Sequence, residues 1–196
     1  NADTGNPDAI VAQHSKAILL HLHSLPYAVQ EIITHHVINS TQGMARWTKQ
    51  GSNVNDEKDL DDYMFEVAGR VGYLVTQLFA WYSITIRRKE KEMMPLAREF
   101  GLALQTVNVI RGLREDFDRG WVYIPRKFLV DMGLSKEQLF DPEHREQALK
   151  VLDMMTDKAE RHLKQALQYV KSLPWWQHGI RLGCIFPLMF AIRTLA

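Results

Sequence analysis

Cysteine is nearly absent: Cys184 is the only one in 196 residues. The chain can therefore form no internal disulfide and no cysteine-based zinc site, and a reducing, cytoplasmic compartment suits it. Net charge is nearly absent as well, with 24 Lys and Arg against 23 Asp and Glu leaving +1. That removes the footprint of a general nucleic-acid binder, which gathers an excess of basic residues on one face. Long apolar runs are missing. The most apolar stretch, LGCIFPLMFAI at residues 182–192, lies between Arg181 and Arg193 and falls short of the roughly 20 residues that span a bilayer. It is expected as a buried helix, with contact at a membrane surface left open. No window shows clean alternation of β-branched residues between turn signals, so strands are not expected. There is no glycine period and no low-complexity tract, and 46% hydrophobic residues exclude a disordered chain.

What is present is helical periodicity along almost the whole length. An all-α protein of one domain is expected, since 196 residues give room for one well-buried core. Residues 8–25 read as a first helix with Ile10, Ala17 and Leu20 inside, closed before Pro26; residues 26–50 read as a second, ending at Gly51. After a loop, the acidic start DEKDLDD opens a long helix from residue 56 to about 88, because a helix dipole favours carboxylates in the first turn. RRKEKE at 87–92 reads as a charged break, and residues 93–118 as one helix containing Gly101 and Gly112. Short helices are expected at 125–132 and 135–139. An amphipathic one covers 142–172, and a last one follows Pro174, kinked or restarted at Pro187. The opening on Asn1 rather than Met leads us to expect an internal start.

Two segments depart from a simple helical core. In residues 62–79 (DYMFEVAGRVGYLVTQLF), Gly69 and Gly72 sit inside a helix, at about 1 kcal/mol each relative to alanine. Either two backbones approach closely there, or Ala68, Gly69, Val71 and Gly72 thin a wall so that an apolar ligand can lie along it, with Tyr63 about two turns away. In residues 101–125 (GLALQTVNVIRGLREDFDRGWVYIP), Gln105, Asn108, Gly112, Asp116 and Arg119 share one helix face. That stripe is either solvated or aimed into a polar cavity, where amide dipoles beside a cation and a carboxylate on a hard metal ion would suit it. The remaining candidates have plainer readings. Asp59 to Asp62 is helix-start charge, the eight histidines are surface or satisfied core residues, Cys184 is a small buried hydrophobe, and Trp175 and Trp176 are a helix-start packing cluster.

These two segments resemble signatures of the squalene and phytoene synthases, the head-to-head branch of the isoprenoid synthases. Residues 63–72 (YMFEVAGRVG) resemble the family's Y-x-x-x-V-A-G-x-V-G, and residues 102–125 resemble the later G-x-A-L-Q-x-x-N-I-x-R-D-x-x-E-D-x-x-x-G-R-x-Y-x-P. Similarity covers roughly residues 30–196, with both signatures in order. The resemblance implies an all-α isoprenoid synthase fold around a central apolar cavity, a single domain expected to be incomplete at the N-terminus and open to extension at the C-terminus. It implies a Mg2+-dependent prenyltransferase that condenses two prenyl diphosphates through a cyclopropyl intermediate, with NADPH consumed if the product is squalene, and peripheral membrane contact for release of an apolar product.

Carried over by position, Tyr63 matches a tyrosine for proton and cation handling. Gln105 and Asn108 match amides at the reaction centre, and Asp116 matches a metal ligand, with Glu115 beside it. Arg111 matches a basic residue beside the diphosphates, with Arg119, one place before the family's Gly-Arg, as a substitute for its arginine; Ala68, Gly69, Val71 and Gly72 match the thin wall that accommodates prenyl chains, with Met44 and Leu104 as further lining. The sequence departs from the pattern at Gly112, where the family has an aspartate, and at Trp121, where it has arginine. The family's first aspartate-rich motif is not visible, and Asp3 and Asp8 do not replace it. Squalene synthesis is the leading expectation, with phytoene or dehydrosqualene synthesis close behind; a catalytically impaired binding or assembly protein and a single-substrate terpene cyclase are the rivals.

Overall fold

The computed structural model describes residues 7–51 and 53–195, and all regular structure in them is helical. Helices α1 (Pro7–Gln13), α2 (Ser15–His23) and α3 (Tyr27–Gln50) lead into α4 (Glu57–Met64). A single π-helical turn, Phe65–Gly69, links α4 to α5 (Arg70–Tyr82). The long α6 (Ile84–Asp118) follows, then α7 (Arg126–Asp131), two 3-10 turns (Lys136–Phe140 and Pro142–His144), α8 (Arg145–Ser172) and α9 (His178–Leu195). Helix α6 is the axis of the bundle, packed by α4, the π turn, α5, α8 and α9. Its two ends serve two cores. Leu60, Met64, Leu102, Val109, Val151 and Met155 fill the one beside α4, and Ile86, Met93, Ala97, Ala103, Ala159 and Ala166 the one beside α5 and α9.

Several starts and stops follow the chemistry of the sequence. Asp56 caps α4, its carboxylate accepting from the Lys58 and Asp59 N–H groups. Gly51, at φ 69°, ends α3. The acidic run is occupied by structural contacts: Asp59 accepts from Asn55, Asp62 from Arg46 (2.7 Å) and the Trp47 indole (3.0 Å), and Asp61 faces Lys158 at 2.6 Å.

Four expectations need correction. The charged stretch 87–92 does not break a helix, because Lys, Arg and Glu are good helix formers and most of these side chains stand in water along α6. The chain turns earlier, at Ser83, whose backbone is extended (φ −125°, ψ 115°). Arg87 then closes the corner, donating to the Ala80 and Trp81 carbonyls that α5 leaves open, each at 3.0 Å. Residues 8–25 are two helices joined at His14, and Ile10 and Leu20 are exposed: α1 packs only lightly on α2, α2 only lightly on α3, and α2 buries no side chain. Helix α9 runs through Pro187 and buries only Cys184, Leu188 and Ala191; Leu182, Phe186, Met189, Phe190 and Ile192 are exposed. Trp175 and Trp176 are likewise exposed rather than packed. No helix among the described residues is long and apolar enough to cross a membrane. Asp3 lies outside the described residues.

Candidate active site

The site begins at a seam between two helices. A Cβ built on Gly72 would overlap the carbonyl oxygen of Ala97, and one on Gly101 the carbonyl oxygen of Ala68. The two backbones therefore touch where each helix carries a glycine, which answers why glycine is tolerated mid-helix. A Cβ built on Gly69, one turn before Gly72, would instead meet the side chains of Phe65 (2.5 Å) and Leu102 (3.0 Å). The π turn falls at this seam; such insertions of one residue into a helix recur at functional sites.

Beside the seam the helices diverge around a cavity of about 610 Å³. Ala68, Val71 and Gly72 line one side and Leu104, Gln105 and Asn108 the other. Close packing and an opened wall, set against each other as sequence readings, are both realised: Gly72 serves the seam and the cavity at once. The far side is made by Tyr169 of α8 and by Ile180, Gly183, Cys184 and Pro187 of α9. The Tyr169 hydroxyl is engaged with Thr76 at 2.8 Å, and burial raises its pKa. Burial pushes the Cys184 thiol up to about 11, so it is no thiolate at neutral pH. The walls thus present apolar surface and two side-chain amides, and no strong nucleophile.

Tyr63 and Asp116 form a second group. Asp116 is two turns beyond Asn108 on α6, about 12 Å along the axis. Gly120, at φ 80°, reverses the chain so that the Trp121 N–H donates to the Asp116 carbonyl (2.8 Å) and Tyr123 comes to lie flat on Tyr63, ring centroids 4.4 Å apart. Burial, the adjacent Tyr123 phenol and the nearby charge of Asp116 all raise the Tyr63 pKa, so its phenol keeps its proton. Of the other acids on α6, Glu99 pairs with Arg98 and His162 and Asp118 with Arg114, while Glu90, Glu92 and Glu115 show no ion pair among the described residues. Asp116 has no ion-pair partner among the described residues.

Met44 packs into the core beside Tyr63 and, like Gly69, is not on the cavity wall. Arg111 and Arg119 are exposed on the last turns of α6, off the wall. Glu115 is exposed and, being adjacent to Asp116, points about 100° away from it around the helix. Among the described residues no group of three or more His, Cys, Asp or Glu side chains comes together to hold a metal ion. One carboxylate with a glycine a turn before it does not by itself fit Mg2+.

Sequence reasoning missed Tyr123, Tyr169 and the whole α9 wall. The signal for α9 was present in Gly179 and Gly183, one turn apart beside Cys184 and Pro187 on an otherwise large-residue helix.

A family model described as squalene/phytoene synthase matches residues 8–196. The squalene synthase of Schizosaccharomyces pombe is 30% identical over 181 residues, covering 88% of this chain and 38% of that protein. The 15-cis-phytoene synthase of Enterobacter agglomerans is 28% identical over 152 residues, covering 75% and 49%. The structure of TcSQS with the ligand BPH1237 superposes with a TM-score of 0.80 at 24% identity, covering 89% of this chain and 50% of that one. The chain thus spans about half, or less, of the length of these relatives. With the match running over nearly the whole chain and its two signature segments in contact along one seam, this chain belongs to the squalene/phytoene synthase family.

Proposed function

We propose that this chain forms the prenyl-binding core of a prenyltransferase that resembles squalene synthase, condensing two farnesyl diphosphates head to head through a cyclopropyl diphosphate. The observation that carries this reading is the apolar cavity between the two signature helices, with Gln105 and Asn108 one turn apart on its wall. Its volume of about 610 Å³ lies within the span of about 300–1,000 Å³ common for ligand pockets. An allylic cation survives only where water and nucleophiles are kept away. Here the thiol is protonated, the Tyr169 hydroxyl is bonded, and two amide dipoles remain to orient charge.

In the same reading the diphosphates lie toward the end of α6, where Arg111, Arg119 and Asp116 stand, and Tyr63, stacked on Tyr123, keeps its phenolic proton under the charge of Asp116. Mg2+ belongs to the proposal with Asp116 as its one direct carboxylate, since Glu115 points to an adjacent face of α6 and could reach the ion only through water. Its other ligands would have to be diphosphate, water or further carboxylate oxygens. Squalene as product requires a reductant such as NADPH, whereas dehydrosqualene and phytoene do not. The exposed Trp175, Phe186, Met189 and Phe190 offer apolar contact with a membrane surface for product release.

The test is incubation of the protein with farnesyl or geranylgeranyl diphosphate, Mg2+ and NADPH, followed by product analysis. Release of diphosphate with a hydrocarbon of doubled chain length is expected, and NADPH dependence identifies squalene. Release from neither substrate rejects the enzyme and leaves the second reading, a family member that binds a prenyl chain without turning it over. Gly112, where the family signature has an aspartate, favours that alternative.

A gain-of-function change probes the metal directly. A Cβ at Gly112 would lie 3.6 Å from Asp116 Oδ2, an ordinary contact, so there is room for a second carboxylate. Gly112→Asp is expected to tighten Mg2+ binding on the order of tenfold, about 1.4 kcal/mol, as a paired carboxylate is added. Calorimetric titration with MgCl2 measures it. An unchanged affinity would show that position 112 does not face the ion.

A further inference from the structure

One cluster of ionisable groups lies outside the cavity and outside every role given above. His162, buried on α8 at 7% exposure, has Nδ1 2.6 Å from Glu99 Oε2 on α6 and Nε2 3.4 Å from Asp61 Oδ1 on α4. A neutral imidazole has one N–H and one bare nitrogen, so it can donate to only one of these carboxylates and must turn a lone pair toward the other. Only the imidazolium pairs favourably with both, hydrogen-bonded to Glu99 and in ion-pair contact with Asp61, a contact that does not have hydrogen-bond geometry. One turn earlier on α8, the buried Lys158 places Nζ 2.6 Å from the same Asp61 and 3.2 Å from Glu57. Arg161 reaches Glu57 and Arg98 reaches Glu99, each at 2.5 Å. The charged groups around the ring are therefore Glu57 and Asp61 from α4, Arg98 and Glu99 from α6, and Lys158 and Arg161 from α8. The signs balance without the histidine, and the two groups nearest its nitrogens are both acids.

The placement matters because Asp61 is two residues before Tyr63 and Glu99 two residues before Gly101. The ring thus holds the two helices that carry the site. We propose that His162 is a protonation-dependent latch: as the imidazolium it ties α4 and α6 to α8, and on losing its proton it keeps the shorter bond to Glu99 and loosens α4. This does not depend on which reaction the protein performs.

The sign of the pH effect follows from the neighbours. Burial works against the charged ring, but the hydrogen bonds and charges of Asp61 and Glu99 outweigh it and raise the His162 pKa. A group raised in the folded state stabilises fully below its unfolded value, near 6.5 for histidine, and loses that contribution as pH rises through the folded value. Asp61, despite its burial, and Glu99, bonded to His162, both sit below ordinary carboxylate values, so their contribution is lost only in acid. The other buried histidine, His36, is lowered by burial and opposes folding only as pH falls.

Thermal melts of the 196-residue protein and of His162→Gln between pH 6 and 9, with hydrogen exchange of the α4 amides, test the latch. The wild-type melting temperature is expected to fall by about 3 °C or more as pH rises past neutrality, with α4 losing protection, and His162→Gln is expected to lack that step. The same step in the variant, or none in the wild type, overturns the proposal. Should the variant not fold, 15N NMR of the wild-type ring decides: two protonated nitrogens at pH 7 support the latch, and a neutral tautomer overturns it.

Discussion

Asp116→Ala is expected to lower turnover by at least about 10²–10³-fold, the scale set by removing one charge-stabilising group from a reaction centre, while the protein folds as before. The second half of that expectation comes from the structure. Asp116 makes no side-chain hydrogen bond or ion pair among the described residues, and it lies in the last turn of α6, where the helix dipole disfavours negative charge. Its removal should therefore leave stability unchanged or raise it by up to about 0.5 kcal/mol. A half-buried carboxylate that folding does not use, beside a buried tyrosine whose proton it helps to retain, is placed for work on a ligand. The check is kcat and KM with farnesyl diphosphate together with a melting curve. Full activity in a folded variant would mean that the diphosphate end of the site lies elsewhere. A collapse in stability would mean that Asp116 is a structural residue after all.

The parts of this site that were readable in the sequence are those whose physics is local or spaced along one helix. Gly69, Gly72 and Gly101 stand out because mid-helix glycine has a cost, and the stripe from Gln105 to Asp116 because its spacing is helical. The acidic run from Asp56 stands out as a helix start. What could not be read depends on distant partners. The corner at Ser83 carries neither glycine nor proline and is held by Arg87 from the following helix, while the conspicuous charges at 87–92 are ordinary helix formers. The π turn follows from how Phe65 to Gly69 must meet α6, which no single-helix pattern encodes. His162 meets its carboxylate across 63 residues and Lys158 across 101, so both look like residues of an amphipathic helix until α4, α6 and α8 are brought together. The α9 wall was masked by its own composition, since a run rich in large apolar residues reads as a buried helix and only Gly179 and Gly183, beside Cys184 and Pro187, hint that its small members face a cavity.

The seam also yields the largest expected effect on stability. Gly72→Ala should destabilise the protein by about 3 kcal/mol or more, at the upper end of overpacking changes, because the new methyl group would overlap the Ala97 carbonyl oxygen, a backbone atom that no rotamer can move aside. Gly101→Ala meets the backbone of Ala68 and Gly69 and should behave alike. Gly43 differs: a Cβ there strikes only the side chain of Glu66, held by Arg70 and Arg46, which can swing at the cost of those ion pairs. Gly183→Ala is the control, since nothing lies within 4 Å of its Cβ and helix propensity alone should stabilise it by up to about 1 kcal/mol. For a chain of this size, 3 kcal/mol corresponds to a melting temperature lower by about 6–12 °C, which thermal or urea denaturation resolves easily. Equal stability of Gly72→Ala and Gly183→Ala would refute the close approach of α5 and α6. If the drop is seen, the loss should extend to the cavity, because Ala68, Val71 and Gly72 face Leu104, Gln105 and Asn108 at a distance that the backbone contact at Gly72 and Gly101 sets.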